Sequence, residues 1–173
     1  MLTTKQWLQS AMMIALLSIA AYIKVPIGLV PITFQFLIVL LIGLLFSAKQ
    51  AILTVSLYIL IGLLGVPVFS GGGGFEYIFR PSFGFVLGFL VCVTVTNTTY
   101  KKTKHPLLAV LLGYLSLYMM GLPYLFMILT KVMHITQPIE QFLYSYWIVF
   151  LLNDCLSIAL SLLVFKRLDK FSY

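Results

Sequence analysis

Acidic side chains are almost missing from this sequence: four Asp and Glu stand against eleven Lys and Arg, and charged residues make up only 9% of the 173 positions. Soluble domains carry about 25% charge, so a water-soluble fold is excluded. Cysteine is scarce too, and Cys92 and Cys155 both fall in apolar runs, where they act as small hydrophobes. No disulfide or metal framework is expected from them. The two histidines, His105 and His134, lie in segments expected on opposite sides of a membrane, so they assemble no shared catalytic base. Ser70 lacks the G-x-S-x-G setting of a nucleophile elbow. The stretch GGGGFEYIFR lacks the Lys-Ser/Thr ending of a P-loop. The expectation is therefore that the chain is not an enzyme and that it needs no cofactor.

What the chain has is apolar length. Hydrophobic residues reach 62%, in continuous runs instead of the alternation of a membrane barrel. A helical span takes about 20 apolar residues, so the length accommodates six or seven spans, with no room for a soluble domain. The class expected is an all-α integral membrane protein, residues 1–173 forming a single transmembrane domain of six helices.

Lys5 and the run from Trp7 to Ile23 give a retained first helix instead of a cleaved signal. On it Ala11, Ala15 and Ser18 share one smooth face, open either to packing within the chain or to docking by a partner. Lys24 to Pro31 holds two prolines and Gly28 and is expected as a short loop, with Pro31 starting a second helix through Thr33 and Gln35 to Phe46. Gln35 faces either a cavity or the headgroups. Ser47 to Gln50 is expected as a tight turn and Ala51 to Leu64 as the third helix, carrying Tyr58. A fourth helix runs from Ser82 to Thr98, with Gly84 and Gly88 spaced for close helix contact. Pro106 opens a fifth apolar segment, expected to kink or break at Gly121-Leu122-Pro123 before Met133. The last helix covers Glu140 to Phe165.

The net charge of +7 records topology rather than a nucleic-acid partner. With the N-terminus inside, the inner segments hold Lys5, Lys49, Lys101, Lys102, Lys104, Lys166, Arg167 and Lys170. The outer ones hold only Lys24, Arg80 and Lys131. Both termini are thus expected inside, with the proline-rich and glycine-rich loops outside.

The stretch from Gly62 to Gly88 organises the rest. Gly71, Gly72, Gly73 and Gly74 leave the backbone bare for a ligand or another segment to approach. Arg80 either pairs with Glu76, anchors the chain at the membrane boundary, or faces a ligand's negative charge. Asp154 is the one acid well inside an apolar span, where ionised carboxylates cost at least about 2.5 kcal/mol. It must face a cavity or a partner. Trp147, Asp154, Ser157 and Ser161 recur at helical spacing, with Asn153 beside them, and offer an aromatic surface, a carboxylate and hydroxyls together. The alternative is that Asp154 pairs with a lysine or caps broken backbone.

VPITFQ (Val30 to Gln35), LLIGLL (Leu40 to Leu45), YILIGLLGVPVFSGGGG (Tyr58 to Gly74) and RPSFGFVLGF (Arg80 to Phe89) resemble the BioY family, biotin-specific S components of energy-coupling factor (ECF) transporters. YMMGLPYL (Tyr118 to Leu125) and LLNDCLS (Leu151 to Ser157) extend the resemblance over most of the chain. It implies a multi-pass plasma-membrane protein that captures biotin from outside and is re-oriented by a membrane coupling subunit and a pair of ABC-type ATPases. Asp154 matches the acid of the family's last-helix motif, and Ala11 and Ala15 match its docking strip. Biotin's ureido N–H groups suit Asp154, its fused rings suit Trp147 or Tyr77, and its carboxylate suits Arg80 and the glycine loop. The family commonly has a lysine where Ser157 stands, and Asn153 and Phe83 also depart from its pattern. Arg80 is expected to replace that lysine, and the alternative ligand is another small vitamin. A membrane enzyme or structural subunit acting on lipids is the reading from a different class.

Overall fold

The computed structural model describes residues 2–26 and 29–169. Ile27 and Gly28 of the expected first loop, and Lys170 of the expected inner tail, lie outside the described residues. The order is α1 (Thr4–Tyr22), β1 (Lys24–Val25), β2 (Ile32–Thr33), α2 (Gln35–Leu45), α3 (Ala48–Leu63), a 3-10 turn (Phe75–Phe79) and α4 (Phe83–Thr103). Two long helices come next, α5 (Pro106–Val132) and α6 (Ile139–Leu168). Among the described residues α4, α5 and α6 are long and apolar enough to cross a membrane, while α2 and α3 are shorter apolar helices. The outer faces of α5 and α6 are leucine-rich, with Leu107, Leu111, Leu115, Leu152 and Leu163 all exposed. Such a surface suits hydrocarbon and not water.

α2 occupies the centre: eight of its eleven residues are buried, and it packs against α1, α3, α4, α5 and α6. Helix association in lipid rests on close van der Waals packing. The α4–α5 seam supplies it, since a Cβ on Gly84 would meet Tyr124, one on Gly88 would meet Leu117, and one on Gly121 would meet Phe85. The contact expected from Gly84 and Gly88 is thus internal. Polar links fix the register elsewhere. Asn97 donates to the carbonyls of Gly43 (2.9 Å) and Phe46 (2.7 Å), satisfying acceptors that the end of α2 leaves open. Thr54 on α3 donates to Ser10 on α1 at 2.9 Å. α1 buries Ser10, Leu17, Ala20 and Ala21 and leaves Ala11 and Ala15 exposed, flanked by exposed Leu8, Met12, Leu16 and Ile19.

Four boundaries differ from the sequence expectation. Pro31 does not start α2, because β-branched Ile32 and Thr33 extend and pair antiparallel with Val25 and Lys24. Ala48 to Gln50 are helical, with the Ser47 hydroxyl capping the Gln50 N–H, so the turn before α3 is shorter than expected. α4 runs on to Thr103 and closes on Lys104 in the left-handed conformation (φ 58°). α5 continues through Pro123 to a closing π turn at Ile128–Val132, so there is no break at Gly121 to Pro123.

Candidate functional site

A second π turn, Tyr144–Ile148, lies inside α6 just before the acid. A π turn adds a residue to the helical repeat and so rotates the side chains on its N-terminal side relative to those on its C-terminal side. Tyr146, Phe150, Asp154, Ser157 and Ser161 therefore share the buried side, whereas Trp147 is 40% exposed. The single face expected for Trp147, Asp154, Ser157 and Ser161 is corrected on this point. Trp147 instead donates its indole N–H to the Tyr114 hydroxyl at 2.7 Å.

Asp154, only 5% exposed, looks into an inner cavity of about 60 Å³. Tyr118 donates its hydroxyl to Asp154 Oδ2 at 2.5 Å, so the acid's partner is a phenol from α5 and not a lysine. Gln35 and Asn153 line the same cavity, with Phe36, Phe85, Phe89 and Phe150 as its apolar walls. Gln35, the first residue of α2, is held by donating to the Tyr58 hydroxyl at 2.6 Å, and Tyr58 donates to the Val68 carbonyl at 2.8 Å. Asn153 donates to the Thr33 carbonyl at 3.3 Å, tying α6 to β2. Of the two settings open to Gln35, the structure has the cavity.

Pro31, Ser70 and Ser82 line both this cavity and an open outer cleft of about 450 Å³. The cleft also holds Lys24, Gly71, Tyr77 and Arg80. A chain of hydroxyls crosses the boundary: Ser70 lies 3.1 Å from the Tyr77 hydroxyl, which lies 2.9 Å from Ser82 Oγ. Lys24 donates to the Ser70 carbonyl at 2.5 Å. Arg80 sets its guanidinium 5.5 Å from the centre of the Tyr77 ring and, among the described residues, forms no ion pair with Glu76. Two cations thus overlook the cleft, and one carboxylate waits beneath it.

The glycine run acts mainly on its own backbone. Phe69 and Gly72 exchange N–H···O bonds of 2.9 and 3.1 Å, and the Gly74 N–H donates to the Gly62 carbonyl at 2.7 Å. Gly72 and Gly74 take φ of 114° and 105°, where side chains are strained. A Cβ on Gly73 would strike the Val66 carbonyl. The segment that approaches closely is therefore the end of α3, and Phe69 tucks fully buried against Gly62 and Tyr58. Of the four glycines, Gly71 lines the cleft, where a Cβ would stand 2.6 Å from Arg80 Nη1; Gly72, Gly73 and Gly74 line neither compartment. Ser157 also lies outside both, buried with its hydroxyl unpartnered among the described residues.

The phenylalanine walls and Tyr114 were not singled out by sequence, and neither were three polar residues that line the two compartments. Tyr118 in an apolar helix carries no signal of its own. Lys24 stands out only as a topological charge, and Ser82 only as the start of a helix.

Comparison with known proteins gives one answer. The BioY family model matches residues 1–172. The probable biotin transporter BioY of Lysinibacillus sphaericus is 34% identical, covering 92% of this chain and 84% of its own. The biotin transporter BioY of Thermotoga maritima is 31% identical over 58% of this chain and 60% of its own. A crystal structure of the S-component for biotin from an ECF-type ABC transporter superposes with a TM-score of 0.84 at 27% identity, covering 98% of this chain and 95% of that one. The chain belongs to the BioY family.

Proposed function

We propose that this protein is the biotin-binding S component of an ECF-type ABC transporter. The observation that carries the reading is the stacking of two compartments, a carboxylate-floored cavity under a cleft with two cations, because biotin has the matching polarity. Its ureido ring offers N–H donors to Asp154, with Asn153 and Gln35 beside it as further polar contacts. Its valerate carboxylate reaches Lys24 and Arg80, which take the place of the lysine absent at Ser157. Tyr77 supplies the ring surface between them, and Gly71 leaves room for the Arg80 guanidinium. The inner cavity of about 60 Å³ is below the roughly 300 Å³ at which small-ligand sites begin. A bound ligand must therefore occupy the outer cleft as well.

The chain acts as a single domain crossing the plasma membrane six times, with both termini in the cytoplasm and the Gly71–Gly74 loop outside. The excess of basic residues on the segments placed inside supports this orientation. Biotin enters from the external side, and the exposed Ala11–Ala15 strip of α1 receives a membrane coupling subunit driven by two ABC-type ATPases. No chemistry is performed on the ligand.

The deciding experiment is retention of labelled biotin by the purified protein in detergent, with unlabelled biotin and other vitamins as competitors. Displacement by biotin alone is the expected result. Displacement by a different vitamin, or no retention by folded protein, would replace biotin as the ligand.

A further inference from the structure

At the end of the bundle away from the site, a second cleft of about 530 Å³ opens between the α4–α5 turn and the end of α6. Its floor is an edge-to-face pair, Tyr100 and Phe165, with ring centres 5.2 Å apart. Leu107 and Leu162 form apolar walls, and Lys104 and Lys166 are exposed lining residues, with no acid lining the cleft among the described residues. The position of Lys104 is fixed by backbone. Its φ of 58° closes α4, its N–H donates to the Tyr100 carbonyl at 2.9 Å, and Pro106 starts α5 two residues later. Its ammonium lies 5.9 Å from the Tyr100 ring centre.

Two cations above an aromatic and aliphatic slot match an amphiphile with an anionic head. We propose that this cleft binds one anionic phospholipid, its phosphate between Lys104 and Lys166 and an acyl chain along Leu107 and Leu162. Charge complementarity selects the head, and the outward-facing leucines of α5 place the slot against hydrocarbon. Lys101 and Lys102, in the last turn of α4, do not line the cleft and provide an internal control.

The test is native mass spectrometry of the full chain titrated with phosphatidylglycerol or phosphatidylcholine. One phosphatidylglycerol should bind in preference to phosphatidylcholine. Lys104→Gln with Lys166→Gln should remove the preference, weakening the anionic lipid roughly fivefold for each lysine, while biotin binding stays intact. Lys101→Gln with Lys102→Gln should keep it. Equal binding of the two lipids would overturn the proposal and leave the cleft to a partner protein. Equal losses in both double variants would overturn it in favour of diffuse charge. Displacement by soluble glycerol phosphate at matched concentration would overturn it in favour of a free-phosphate site.

Discussion

Asp154→Asn separates the binding role of the acid from its packing role. Asn has the same shape, and its Oδ1 can still accept the Tyr118 hydroxyl that now donates to Oδ2 at 2.5 Å. The α5–α6 contact therefore survives, and one buried charge disappears. What is lost is a charged acceptor for ligand N–H groups. Hydrogen bonds to charged groups contribute about 1.5–3 kcal/mol, and each 1.4 kcal/mol is a factor of about ten. Affinity for biotin should fall roughly 10- to 150-fold, with thermal stability unchanged or slightly raised. Equilibrium retention of labelled biotin gives the first quantity, and a melting curve in the same detergent gives the second. An Asp154→Asn protein that melts like the parent and binds biotin with undiminished affinity would refute the placement of the ureido ring against this carboxylate. A variant that unfolds would instead make Asp154 a packing residue, contrary to the reasoning from Tyr118.

The cations of the outer cleft should discriminate by ligand charge. Lys24→Gln and Arg80→Gln, both at exposed positions, should each weaken biotin roughly 1.5- to 5-fold, in keeping with ~0.2–1 kcal/mol for exposed pairs. Biotin amide should be unaffected, and equal losses for the two ligands would show that the cations do not face the carboxylate. Ala11→Trp with Ala15→Trp should leave biotin capture intact, because both side chains are exposed on α1, and should depress uptake by cells; normal uptake would remove that face from the coupling interface. Gly113→Ala pushes a methyl group into Thr96 Oγ1 and should cost about 1–3 kcal/mol of overpacking. The melting temperature should drop and largely recover on adding Thr96→Ala, and an unshifted Gly113→Ala protein would contradict the close α4–α5 seam.

The helical class was legible because a bilayer requires long apolar segments and their lengths are plain in the sequence. Boundaries set by a few hydrogen bonds were less so. Ile32 and Thr33 pair with Lys24 and Val25 only because the intervening loop brings them together, a contact that a helix-start rule for Pro31 overlooks. Ser47 looked like part of a turn and is the cap of α3. Gly84 and Gly88 were readable as a packing face because a missing side chain has one clear use between helices. The glycine run was readable only as permission: four glycines allow many paths, and the one taken is fixed by Phe69 entering the space beside Gly62.

The site divides along the same line. Asp154 declared itself because an acid in hydrocarbon demands a reason; Asn153 was named because it stands beside it, and Gln35 as a polar residue at the membrane boundary whose setting, cavity or headgroups, the sequence left open. Tyr118 did not, since a tyrosine in an apolar helix is an ordinary core residue until the fold brings a carboxylate to it. The face taken by Trp147 was illegible for a different reason. Helical periodicity extrapolates correctly only while the repeat is unbroken, and the inserted residue at Tyr144–Ile148 has no compositional mark. That π turn places buried Tyr146 and Phe150 on the side of Asp154 and leaves Trp147 40% exposed, its indole N–H donating to the hydroxyl of buried Tyr114. The aromatic wall of the inner cavity consequently comes from phenylalanines on α2, α4 and α6, and the polar chemistry from Thr33 on β2, Gln35 on α2, Tyr118 on α5, Asn153 and Asp154 on α6, and the loop serines Ser70 and Ser82. A site assembled this way depends on the relative placement of the helices. Small displacements of α6 against β2 and α5 would alter the settings of Asn153 and Asp154 together, because one is bonded to Thr33 and the other to Tyr118.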